Sequence, residues 1–418
     1  MKLSIFTSLA PNVERDDVVR SLWLCITLQK ICRKETITHL ADLVRNFFET
    51  KHVFLFESGR SALAALLMTI KIQPGDEVLL QAYTCVAVPN AILWAGGKPV
   101  YIDCAAGTLT MSSDDLEKKI TSRSRVLIIQ HTFGIPAPMD ELCAIAKRYN
   151  LIVIEDCAHT IGGEYQGKKL GTFGSASIIS FGRDKPLSSV FGGAAIIYDA
   201  ALAREVQSFF ATLTPPRWFW SQRQLLQPCI TALAKATYFF GLGKIILYVS
   251  LLFHLIYPAV TKKERKGEKP SFVFHTMPCS LASLALYQWK KLERFNAHRQ
   301  RIASIYSDAL RGMQEIRLVE AGMEQGVVLL RYPVFVDDAR KALSFARKQG
   351  IYLGDWYTSP IAPGDVTLSA VGYRQGSCPI AEAYSKVTVN LPTSIGISEE
   401  NARRIIVCIK SYLDSLRV

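Results

Sequence analysis

Leu151-Ile152-Val153-Ile154-Glu155-Asp156-Cys157-Ala158-His159 is a run of four branched apolar residues that ends in two acids and turns through small residues to a histidine. Apolar without alternation, it reads as a strand buried on both faces, as in a parallel sheet. An acid at the carboxyl end of such a strand lies where open α/β sheets receive ligands. Asp156 is therefore a candidate ligand group. The plainer alternative is an aspartate that caps the next element, with His159 a satisfied loop residue.

Working outward, residues 53–200 alternate short β-branched runs with segments of helical spacing. The strand candidates are HVFLFE, EVLLQ, PVYIDC, RVLIIQ, LIVIED, SASIISF and GGAAIIY, with SALAALLMTI and MDELCAIAKRY among the helices between them. Pro74-Gly75-Asp76 and Gly96-Gly97-Lys98-Pro99 supply turns. This is a βα repeat, predicting a mostly parallel sheet covered on both faces.

The chain has 418 residues, 49% apolar and 20% charged, which suits a globular protein of roughly two or three domains and excludes intrinsic disorder as its main state. Its net charge of +13 favours anionic partners without choosing among them. Ten cysteines, including Cys32, show no CxxC pair or regular spacing, so neither a zinc site nor a disulfide framework is expected. Several sit in apolar runs, as expected of a reducing compartment. The N-terminus lacks the long apolar region of a signal peptide, which points to a cytoplasmic protein.

Residues 214–270 break the repeat. Trp218 and Trp220 lead into an apolar stretch, Leu225 to Val260, closed by KKERKGEK at 262–269. From Ile245 to Thr261 no charged residue appears, giving 17 residues where a spanning helix wants about 20. Gly241, Gly243 and Pro258 interrupt the segment, which reads better as an interfacial helix or shallow hairpin at the inner face of the membrane. Buried core helices or a dimer contact are the open alternatives. Residues 280–310 read as one long amphipathic helix, and 316–418 as a small α+β unit.

Three signals carry chemistry. Ser58-Gly59-Arg60-Ser61 turns from a strand into a helix whose free N–H groups form an anion site; a routine capped turn is the alternative. Asp156 and His159 form the second. The third is SFGRDK, Ser180 to Lys185, followed by Gly192-Gly193. A lysine just past a buried strand can be kept desolvated, as a Schiff-base amine requires. An ordinary surface lysine is the competing explanation.

Together these resemble the DegT/DnrJ/EryC1/StrS family of pyridoxal-phosphate-dependent sugar aminotransferases. The match runs in order through Ser58-Gly59, PGDEV at 74–78, GGKPVYID at 96–103, EDCAH at 155–159, SFGRDK at 180–185 and Gly192-Gly193. The resemblance implies the aspartate-aminotransferase-like fold (fold type I), with a seven-stranded large domain over 1–295, the apolar insertion at 214–270, and a small α+β domain over 296–418. It implies pyridoxal 5'-phosphate as cofactor, no metal, and Lys185 as both the amine that carries the cofactor and the proton shuttle. Asp156 would face the pyridine nitrogen and His159 the phenolic oxygen. Gly59, Arg60, Ser61 and Ser180 would hold the phosphate. The expected partners are a nucleotide-linked keto-sugar, glutamate or glutamine as donor, and a second copy of the chain, with no nucleic acid.

Three positions depart from the family's pattern. Arg60-Ser61 stand where a small pair is common. Cys85 occupies the place of an aromatic that stacks on the ring, with Tyr83 as a possible substitute. Phe274-His275-Thr276-Met277 replaces the stretch from which a partner asparagine completes the phosphate site. The related sugar dehydratases carry histidine at the lysine position, so Lys185 argues against them, and the intact Lys185, Asp156 and Ser180 set argues against a non-catalytic, membrane-associated regulator.

Overall fold

The structure is a computed structural model that describes residues 4–27, 34–313, 315–319 and 326–416; Cys32 lies outside these. All seven strand candidates form one sheet: β1 (His52–Phe56), β2 (Glu77–Gln81), β3 (Lys98–Ile102), β4 (Ser124–Gln130), β5 (Ile152–Asp156), β6 (Ala176–Ser180) and β7 (Gly193–Ile197). Their order is β1-β7-β6-β5-β4-β2-β3, and only β7 runs antiparallel to its neighbours. Alternation places Val78 and Leu80 in the core on one face and Leu79 in the core on the other. Each such buried leucine contributes roughly 1.5–3 kcal/mol.

Helix α1 (Gly59–Thr69) follows β1 and is buried nearly all round, with Ser58 as its N-cap accepting the Ser61 N–H. It passes so close to β7 that a Cβ on Gly193 would lie 2.4 Å from the Gly59 nitrogen. Only glycine allows that approach.

The apolar segment forms a hairpin of α2 (Trp218–Thr237) and α3 (Leu242–Leu252), joined by a short 3-10 turn and by Gly241 at φ +80°. Helix α2 also packs on the helix Arg15–Ile26. Among the described residues no helix is long and apolar enough to cross a membrane.

The long helix expected over 280–310 is two helices, α4 (Cys279–Trp289) and α5 (Leu292–Leu310). The break falls at Lys290-Lys291. Lys291 turns its ammonium to Glu14, Asp16 and Asp17 at 3.2, 2.8 and 3.1 Å, and its N–H bonds to Gln288 O three residues back rather than four.

Toward the C-terminus an antiparallel sheet orders β8 (Arg317–Leu318), β9 (Arg331–Phe335) and β10 (Thr388–Pro392). Two short parallel pairings tie this part to the rest: Ile5–Phe6 with Ile351–Tyr352, and Thr84–Cys85 with Ile361–Ala362. The second carries the loop after Leu353 over the carboxyl ends of β1, β5 and β6.

Candidate active site

At those carboxyl ends lies a cavity of about 380 Å³. The three sequence signals converge there: Ser58, Gly59 and Arg60, then Asp156 and His159, then Ser180 and Lys185 all line it, as does Cys85.

Asp156 ends β5 with Oδ1 accepting the Ala158 N–H at 2.9 Å. Burial pushes its carboxyl up, opposed by the positive charge of Lys185. Burial in turn pushes the Lys185 amine down, opposed by Cys85 and Asp156. A lysine so placed gives up its proton more readily than one in water, as a nucleophilic amine must. The loop carrying it is held from behind: Asn12 Nδ2 donates to Lys185 O at 2.5 Å, and the buried Arg299 Nη2 donates to Pro186 O at 2.5 Å and Asn12 Oδ1 at 3.0 Å.

His159 is neutral. Burial and the charges of Lys185 and Arg331 hold its imidazole well below the usual range. Nδ1 accepts the Phe133 N–H at 3.1 Å, leaving Nε2 to carry the proton toward Tyr357 Oη at 3.3 Å. The ring stacks on Trp356, with centroids 5.6 Å apart and an interplanar angle of 21°. Trp356 also faces the Lys185 ammonium at 5.3 Å and the Arg331 guanidinium at 3.6 Å.

Two expected residues lie outside the cavity lining. Ser61 is fully buried: its Oγ donates to Glu57 and accepts the Phe274 N–H at 3.2 Å, while its own N–H goes to Ser58. That leaves it committed to the helix cap. Tyr83 is fully buried too, its hydroxyl accepting the Tyr357 N–H at 3.1 Å, so it supports the 356–357 segment from below. Arg60 does line the cavity, but its charge is matched by the buried Glu264, and it donates to Ala259 O at 2.7 Å.

Several lining residues gave no sequence signal. Trp356 and Tyr357 come from an irregular loop, and Ala259 and Arg265 from the end of the insertion. Arg183 differs from Arg60 in having no acid bonded to it. Its Nε and Nη2 are buried without a hydrogen-bond partner, and burial pushes its guanidinium down to about 10. His131, Glu155 and Cys157 also converge, yet Glu155 already accepts the N–H groups of Gly171, Phe173 and Gly174 at 2.7, 2.6 and 3.0 Å. That cluster is a folded-chain buttress.

The donor set fits pyridoxal phosphate. The helix start at Gly59 offers N–H groups beside Ser180, whose Cβ is close enough that a Cβ at Gly59 would meet it at 3.1 Å. Asp156 keeps one carboxylate oxygen for a ring N–H, and Lys185 supplies the amine. When bound, this cofactor supplies the electron sink that lets an amino acid lose its α-proton.

Comparisons with known proteins identify the family. The chain is 27% identical over 85% of its length, and 83% of the relative's, to UDP-N-acetyl-3-dehydro-alpha-D-glucosamine 3-aminotransferase of Acidithiobacillus ferrooxidans. Over 39% of the chain and 46% of the relative it is 37% identical to GDP-perosamine synthase of Escherichia coli O157:H7. The structure of NtdA from Bacillus subtilis with bound cofactor PMP superimposes with a TM-score of 0.74, covering 99% of this chain and 86% of that one at 20% identity. The family profile matches residues 17–214 and 263–410, leaving out 215–262, most of the apolar insertion. The chain is a pyridoxal-phosphate-dependent enzyme and belongs to the DegT/DnrJ/EryC1/StrS aminotransferase family.

Proposed function

We propose that this enzyme transfers an amino group from glutamate or glutamine to a keto-sugar carried on a nucleotide, acting as a homodimer at the cytoplasmic face of the membrane in the synthesis of an envelope glycan. Relatives whose names specify GDP- and UDP-linked sugars support the substrate class. The observation that carries the nucleotide is Arg183: a buried guanidinium on the cavity wall with two unpartnered nitrogens calls for an anion, and a diphosphate supplies one.

In this reading Lys185 Nζ takes the α-proton of the donor and later returns a proton to the sugar carbon that gains the amine. Asp156 holds positive charge at the ring nitrogen, and Trp356 with Tyr357 covers the site on the small-sheet side. Arg183 orients the acceptor through its phosphates, which fixes the keto carbon against Lys185.

The test is amine transfer from glutamate to a panel of nucleotide-linked and free keto-sugars, read as 2-oxoglutarate formed. The reading predicts turnover confined to nucleotide-linked acceptors and, in Arg183→Ala, a KM for the acceptor raised about tenfold to a hundredfold with the donor KM unchanged. Equal turnover of free keto-sugars would remove the nucleotide from the account.

A further inference from the structure

The hairpin α2–α3 turns large apolar side chains outward. The side chains it buries include Ser221, Gln224, Gln227, Thr231 and Ser250, whereas its outward side chains are large and apolar. Phe240 is 74% exposed, Ile245 59%, Leu252 60% and Phe253 66%. The neighbouring helix Arg15–Ile26 adds Val19, Leu22, Trp23 and Ile26, all exposed. In water a surface helix buries its apolar stripe and exposes its polar one. Here α2 buries Trp220, Leu225 and Ala234 as well, yet large apolar side chains of the hairpin also face outward, over a surface larger than the scattered apolar residues of an ordinary monomer.

We propose that this face docks into one leaflet of an anionic bilayer. Helix α3 has 11 residues, about 16 Å of helix against a hydrocarbon core of about 30 Å, so the hairpin reaches into a single leaflet. The charge beside it selects the lipid. Lys262, Lys263, Lys266 and Lys269 are exposed just beyond the apolar run, with Lys244 on α3 itself, and anionic headgroups neutralise such a cluster. A second copy of the chain meeting the same face would instead bring two sets of these lysines together.

Docking sets where the active site works. Leu255 is exposed in the apolar run and Pro258 lines the cavity, so the docked face and the cleft wall lie three positions apart, at most about 11 Å of chain. Arg60 to Glu264 and Asn90 Nδ2 to Glu264 O at 2.8 Å hold that strap to the rest of the site. The cleft wall thus lies at the membrane surface.

Vesicle flotation of the full-length protein tests this without cofactor or substrate, so its outcome is separate from the transamination reading. The protein is expected to float with phosphatidylcholine vesicles containing phosphatidylglycerol. Phe240→Ser/Leu252→Ser and, separately, Lys262→Glu/Lys266→Glu should each cut the bound fraction at least about tenfold. Absence of flotation with the anionic vesicles would overturn the proposal. So would a Phe240→Ser/Leu252→Ser protein that still floats normally, or one whose only change is dissociation of a dimer, which would make a second copy the occupant.

Discussion

At the carboxyl ends of β1, β5 and β6, ionisable groups are buried among apolar side chains and met by specific partners: Glu57 by Ser58, Ser61 and the His275 N–H, Asp156 by the Ala158 N–H, Arg60 by Glu264. In the hairpin α2–α3, as at Arg183 in the cleft, some buried polar atoms have no partner. Trp220 Nε1, Gln222 Nε2 and Gln227 Oε1 have no partner, while phenylalanines and leucines face outward. The first region is organised around groups it must hold in fixed positions. The second is organised around what lies outside the molecule. An apolar residue therefore means opposite things in the two places.

The comparison can be broken by the same truncation in both. Leu66, fully buried in α1, should cost about 2–5 kcal/mol of unfolding free energy as Leu66→Ala, whereas Leu252→Ala on the exposed face of α3 should change it by less than about 0.5 kcal/mol. Chemical denaturation of the soluble protein measures both. A large loss at Leu252 would show that the hairpin's outer face is covered within the protein itself.

Glu57 sharpens the contrast through pH. Burial pushes its carboxyl up to about 7, above its value in an unfolded chain, so the folded state holds the proton more tightly. Its contribution to stability is then complete below the unfolded pKa, near 4.3, and is lost as pH rises through about 7. Glu57→Gln keeps the shape and removes the titration. The stability of the wild type should fall relative to this variant by up to about 3 kcal/mol between pH 4 and 8. Parallel curves of denaturation midpoint against pH would show that Glu57 stays ionised.

Much of the cavity floor was legible in the sequence because it is local. Apolar runs broken by glycine and proline marked all seven strands of the main sheet, and residues at or past the carboxyl ends of three of them, Gly59, Asp156 and Lys185, line the cavity. What escaped was set by distant contacts. Arg60 meets Glu264, 204 residues away; the loop of Lys185 is fixed by Asn12 and Arg299; and Trp356 reaches His159 through a loop with no periodicity. Ser61 was a phosphate ligand only by the family resemblance, and the buried Glu57 beneath it shows where its hydroxyl goes. The hairpin was visible as an apolar stretch, but which side faced outward was not, since α2 and α3 carry apolar residues on more than one face.

The central claim is that Lys185 is the amine on which this cleft is built. Borohydride reduction of the protein loaded with pyridoxal phosphate, followed by peptide mapping, tests it most directly. The account predicts a pyridoxyl group on Lys185 alone and no reducible linkage in Lys185→Ala. A label on any other lysine, or wild-type protein that takes up no cofactor, would contradict it.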